Sequence, residues 1–172
     1  NQKISESLPL LKDERDFLAI FHQTGEKDCE WVKNQYAQNK FVDVTVAPFF
    51  HDMAHYFQKS DLIISRAGAS TIAELIAAQK ASLLVPFSKA TDDHQTLNAR
   101  ELENIDGADI MLEEEFTAHA FAQKILNYIQ DKERITQMEQ NLKQIRTENV
   151  AEKISDLCIE IMEKQARRTS IG

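Results

Sequence analysis

The stretch Asp61-Leu-Ile-Ile-Ser-Arg-Ala-Gly-Ala-Ser-Thr-Ile-Ala-Glu74 reads as a buried strand running straight into the start of a helix. Leu62, Ile63 and Ile64 form the short apolar run found inside parallel sheets, where both faces are covered. Gly68 permits a tight turn and lets a ligand approach the backbone, and Ser70 to Glu74 open a helix whose first N–H groups have no partner within it. Such a helix start is a cradle for a diphosphate, because its dipole supplies about half a positive charge without any lysine. The same residues also fit a plain strand, turn and helix in which Thr71 and Glu74 form a reciprocal capping box. On local pattern alone both readings stand.

Outward from this stretch, strand-like and helix-like segments alternate along the whole chain. Helices are predicted over 3–11, 26–38, 52–58, 71–79, 93–104, 117–129, 131–146 and 150–167. Strands are predicted from Asp16 to His22, Val42 to Val46, Asp61 to Ser65, Ser82 to Val85 and over 108–112. The alternation indicates an α/β fold, a Rossmann-like parallel sheet with helices on both faces. Four loops follow the carboxyl ends of strands, at His22–Gly25, Ala47–Met53, Ser65–Thr71 and Pro86–Gln95. All four fall on the edge where such sheets bind ligands.

The 172 residues, 42% hydrophobic and 28% charged, suffice for one globular domain with a proper core. A net charge of -8 argues against a nucleic-acid binder, which needs a basic face to neutralise phosphates. An anionic ligand must therefore be held by local amides and dipoles. Cys29 and Cys158 lack metal-ligand spacing and fall in predicted helices, so both are expected as reduced thiols in a cytoplasmic protein. Neither a signal peptide nor an apolar run long enough to span a bilayer is recognisable.

Several side chains could carry chemistry. Glu74 sits at a depth in its helix where a carboxylate can accept hydrogen bonds from a ribose diol. His94, Gln95 and Asn98 share one helical face, and amides that both donate and accept suit the hydroxyls of a sugar. The alternative for that segment is capping, with Asp92 as N-cap and Gln95 three residues on. Phe49, Phe50 and Met53 could wall in a flat base or could pack as core. His51 and His55 have the spacing of metal ligands, but Asp52 stands where zincins carry their acid and no third ligand is evident, so no metal or other cofactor is expected. No nucleophile with an adjacent base is recognisable.

Taken together, His22-Gln-Thr-Gly25, Pro48-Phe-Phe-His-Asp-Met53, Ser60 to Glu74, Val85-Pro-Phe87 and Asp93-His-Gln-Thr-Leu-Asn-Ala99 resemble the C-terminal half of MurG-type glycosyltransferases. The resemblance covers nearly all of the chain, with the motifs in the family's order. It implies the C-terminal domain of a GT-B glycosyltransferase, with a UDP-sugar-binding Rossmann-like domain over 1–150 and a C-terminal helix and tail over 151–172. Carried over by position, Phe49 and Phe50 flank the uracil and the Phe50 backbone reads its edge, while Met53 closes the pocket. Ala69, Ser70 and Thr71 meet the diphosphate and the sugar 4-hydroxyl, Glu74 the ribose, and Gln95 and Asn98 the hydroxyls of N-acetylglucosamine. His94 stands where the best-known members carry a first glutamine, and Arg66 matches a characteristic arginine to which the resemblance attaches no role.

The implied activity is transfer of N-acetylglucosamine from UDP-N-acetylglucosamine to lipid I, which forms lipid II for peptidoglycan. The family's glycine-rich loop and first strand, and its acceptor domain with the catalytic histidine, have no counterpart in this sequence. A longer parent protein is therefore expected, peripheral on the cytoplasmic face of the bacterial inner membrane, whose missing N-terminal domain receives lipid I and meets the membrane. No residue here is expected to be catalytic, and the chain alone is expected to be inactive. Three other readings are a nucleotide-sugar-binding subunit with a separate partner chain, a nucleotide-binding regulatory module, and a related transferase with a soluble acceptor.

Overall fold

A computed structural model describes residues 1–87 and 94–145. The predicted helix over 150–167, Cys158, Asp92 and Asp93 lie outside the described residues. In chain order the elements are α1 (Gln2–Ser7), β1 (Ile20–Gln23), α2 (Cys29–Gln38), β2 (Val44–Ala47), α3 (Met53–Lys59), β3 (Ile63–Ser65) and α4 (Ala69–Ala78). They continue with β4 (Ser82–Leu84), α5 (His94–Glu103), β5 (Ala108–Ile110), α6 (Ala118–Gln130) and α7 (Lys132–Lys143). Short 3-10 turns fill Leu8–Leu11 and Arg15–Phe17. Among the described residues no helix is long and apolar enough to cross a membrane.

All strand pairings are parallel and fall into two sheets, β1 with β2, and β3, β4 and β5 in that order. Two sequence expectations shift for a common reason. The strand foreseen from Asp16 starts at Ile20, and the one foreseen from Val42 starts at Val44, because Ile20 and Val44 are the first residues to find a partner. Ahead of them Phe17 and Val42 are about four-fifths exposed, at 80% and 81%.

The strand β4 explains why the larger sheet must be covered twice. Ser82, Leu83 and Leu84 are all fully buried, and alternation along a strand sends neighbours to opposite faces. Leu83 joins a core with Leu8, Leu11, Val32, Tyr36, Phe121, Ile125 and Tyr128, whereas Leu84 joins a second core with Phe57, Leu75, Ala99, Leu102 and Leu142. Burying each leucine contributes about 1.5–3 kcal/mol, so neither face can be left wet.

At β5 a polar cluster fastens α6 and α7. Asp109 accepts hydrogen bonds from Tyr128 Oη and Arg134 Nη2, each at 2.6 Å, and pairs with Lys124 at 2.8 Å. Burial works to raise the Asp109 carboxyl, but the bonds from Arg134, Lys124 and Tyr128 hold it below the usual carboxylate range. Gly107 just before β5 admits the close approach of α7, since a Cβ there would lie 2.9 Å from Leu142 Cδ2.

His22, at the end of β1, is only 8% exposed. Its Nδ1 lies 3.0 Å from the Tyr36 hydroxyl and its Nε2 3.1 Å from Asn1 Oδ1. Burial disfavours the imidazolium and pushes the His22 pKa from 6.5 down to about 4. The unfolded chain therefore takes up this proton first. The contribution is complete above pH 6.5 and is lost as pH falls towards 4, by up to about 3 kcal/mol. Urea unfolding of the wild type and of His22→Gln across that window should show a shallower acid loss in the variant, and parallel curves would contradict this account.

Candidate functional site

In the larger sheet the register sets the strand ends level. Ser65 pairs with Leu84 and Leu84 with Ile110, so the loops after β3, β4 and β5 leave the sheet at one height. In the smaller sheet Gln23 pairs with Ala47, and Thr24 N and Gly25 N continue that ladder by donating to the carbonyls of Ala47 and Pro48 at 3.0 Å. Gly25 takes a φ of 77°, the left-handed region that a side chain resists.

The helix α4 begins two residues earlier than the sequence suggests, with Gly68 as N-cap and no side-chain cap. The first helical bond is Ile72 N to Gly68 O, at 2.9 Å, so the amides of Ala69, Ser70 and Thr71 lie before it and have no acceptor within the helix. Two corrections follow. Thr71 and Glu74 do not form the capping box, because the N-cap lies three residues before Thr71. Gly68 has an ordinary φ of -65°, so its turn does not need a glycine. What Gly68 provides is room, since a Cβ there would meet only Thr71 Oγ1, at 3.8 Å. Glu74 is exposed and forms no hydrogen bond or ion pair among the described residues.

The loop after β2 splits the two phenylalanines that the sequence treats alike. Phe49 is 58% exposed with His51 against its edge, whereas Phe50 is 6% exposed and lies over Tyr56, ring centroids 4.0 Å apart. The Phe50 amide donates to Gln23 Oε1 at 2.7 Å. The Phe50 carbonyl, and not this amide, is therefore the backbone group left to meet another partner. Met53 is half-buried against the core that includes Phe57, Ala67 and Leu75, so this loop shares its core with α4. Asp52 caps α3 by accepting from His55 N at 3.1 Å, a structural use for the residue between the two histidines.

On α5, Gln95 Oε1 accepts from Phe87 N at 3.0 Å, and Asn98 Nδ2 donates to the Ala67 carbonyl at 3.1 Å. Each amide thus spends one group on the backbone and keeps the other: Gln95 a pair of donors, Asn98 an acceptor. His94 opens the helix and is exposed. The capping alternative through Asp92 falls outside the described residues. Gln23, Arg66 and Tyr56 escaped the sequence reading as contributors. Gln23 and Arg66 lie within the strand-end motifs, but their partners are set by contacts across loops.

The loops at this edge thus bring together, among the described residues, helix-start amides suited to an anion, a carboxylate suited to a diol and two anchored side-chain amides suited to hydroxyls. Over residues 1–156 the chain matches the glycosyltransferase family 28 C-terminal domain. It is 38% identical over 162 residues to the UDP-N-acetylglucosamine--N-acetylmuramyl-(pentapeptide) pyrophosphoryl-undecaprenol N-acetylglucosamine transferase of Myxococcus xanthus, covering 94% of this chain and 42% of that protein. The protein of the same name from Thermodesulfovibrio yellowstonii is 39% identical over 168 residues, 98% of this chain and 44% of the relative. The crystal structure of Acinetobacter baumannii MurG superposes with a TM-score of 0.76 at 32% identity, covering 91% of this chain and 45% of that one. The chain thus spans less than half the length of the relatives it matches. Since the family match takes in both sheets and every loop of the cleft, the chain belongs to the glycosyltransferase family 28 C-terminal domain family.

Proposed function

We propose that this chain is the donor-binding part of a transferase that moves N-acetylglucosamine from UDP-N-acetylglucosamine to lipid I, forming lipid II. The observation that carries the proposal is the start of α4, where, among the described residues, three amides and the Glu74 carboxylate have no partner while Asn98 is bonded to the loop before the helix. In this reading the amides of Ala69, Ser70 and Thr71 take the diphosphate, Glu74 the ribose, and Gln95 and Asn98 the sugar, with His94 beside them. Phe49, the Phe50 backbone and Met53 hold the uracil. The names borne by the relatives from Myxococcus xanthus and Thermodesulfovibrio yellowstonii support the choice of sugar nucleotide and acceptor. In this reading the acceptor site and the base that takes the acceptor's proton belong to the rest of the enzyme, and the intact protein works at the cytoplasmic face of the membrane.

Titrating the intact protein with UDP-, GDP- and ADP-sugars tests the reading; equal affinities would remove it. Glu74→Ala should weaken UDP binding by about 1.5–3 kcal/mol, the range for hydrogen bonds to a charged group, without lowering the melting temperature. A fall in melting with unchanged affinity would return Glu74 to a purely structural role. Gly68→Ala should fold as well as the wild type, because its φ and surroundings accept a methyl group, yet bind UDP-N-acetylglucosamine about tenfold more weakly, as expected if the methyl group holds the diphosphate off the amides. Unchanged affinity in calorimetry would show that the ligand does not approach there. Asn98→Asp removes the donor to Ala67 and sets a carboxylate against a carbonyl; it should destabilise the chain by about 1–3 kcal/mol in urea unfolding, more than Asn98→Ala. The reverse order would mean that the bond to Ala67 does not hold α5.

A further inference from the structure

Arg66 follows β3 directly and reaches across the ends of β4 and β5. Its Nη1 donates to the carbonyls of Val85 and Pro86, at 3.2 and 3.1 Å, and its Nη2 to Glu113 Oε1 at 2.9 Å. The guanidinium carbon lies 5.3 Å from the centre of the Phe87 ring. One planar group thereby joins the loops that leave β3, β4 and β5. The ion pair is half exposed and by itself contributes little, so the strength lies in the forked bonds to two successive carbonyls with the ring of the next residue alongside. That next residue, Phe87, is the one whose amide holds Gln95.

We propose that Arg66 is a positioning residue for the sugar end of the cleft: it fixes Val85-Pro86-Phe87 so that the Phe87 amide orients Gln95. The inference rests on the reading of Gln95 as a sugar ligand. Arg66 needs no contact with the donor in this role, and lysine cannot replace it, because a single ammonium cannot fork between two carbonyls while reaching Glu113. The effect is selective. Loosening Phe87 frees the Gln95 side chain but leaves the start of α4, and with it the nucleotide, in place.

Amide hydrogen exchange at Phe87 and calorimetric binding of UDP and UDP-N-acetylglucosamine, both on the intact protein, test this with Arg66→Lys and Glu113→Gln. Exchange at Phe87 without ligand should rise about tenfold in Arg66→Lys and less in Glu113→Gln, as one local hydrogen bond weakens. Arg66→Lys should bind UDP within about twofold of the wild type and UDP-N-acetylglucosamine about tenfold more weakly. Gln95→Ala, which leaves Arg66 untouched, should reproduce the faster exchange. Unchanged exchange at Phe87 in Arg66→Lys or in Gln95→Ala overturns the proposal, and so does an equal loss of affinity for both ligands, which would put Arg66 on the diphosphate. A wild type that binds UDP and UDP-N-acetylglucosamine alike defeats the donor reading and the specificity it confers on Arg66, whereas exchange at Phe87 decides the clamp by itself.

Discussion

The cleft depends on the parallel register of β3, β4 and β5, which brings Ser65, Leu84 and Ile110 to one level. A parallel ladder has no freedom to slip here, because a shift by one residue would exchange Leu83 and Leu84 between two full cores. Hydrophobic burial in the middle of the strand thus fixes, to within one residue, where each loop leaves the sheet. The ladder then runs on past the strand ends, with Val85 N donating to Ser65 O and Met111 N to Leu84 O. Contacts as specific as those of Arg66 are possible because the backbone beneath them is already set.

The sheet class, the order of its elements and the ligand edge were legible because each is written in local apolar patterning. Leu62 to Ile64 and Ser82 to Val85 could hardly be read as anything but covered strands. Three details were not legible, each for a physical reason. The start of α4 lies at Ala69 rather than Thr71 because a glycine N-cap leaves no side-chain signature. Phe49 and Phe50 differ in burial because Tyr56, six residues on, offers a ring to one of them only, and loop residues carry no period from which to foresee that. The motif places Arg66 at the cleft, but its partners Val85, Pro86 and Glu113 are distant in sequence and meet it only once the strands pair.

Polar side chains are used in two ways at the ends of the strands. At β5 the carboxylate of Asp109 is matched by Arg134, Lys124 and Tyr128, and every charge there is spent on holding α6 and α7. Around α4 the reverse holds among the described residues: the amides of Ala69 to Thr71 and the carboxylate of Glu74 keep unspent capacity. Unspent capacity in water costs little, and a ligand that supplies the missing partners gains without having to break protein contacts. His22 belongs with the first group, since its two ring nitrogens are both engaged within the fold.

The packing of the Leu8–Leu11 turn, directly after α1, bears on how the chain acquires its fold. Leu8 and Leu11, at the beginning of the sequence, share their core with Phe121, Ile125 and Tyr128 of α6, more than a hundred residues later. The segments between them pair with near neighbours, β1 with β2 and β3 with β4 and β5, through contacts of short sequence separation. On a ribosome the two small sheets can therefore assemble as they emerge, whereas Leu8 and Leu11 complete their burial only when α6 has been made. The burial of Leu8 and Leu11 is thus completed late, which makes the synthesis of residues up to 128 the interval in which these side chains most need shielding.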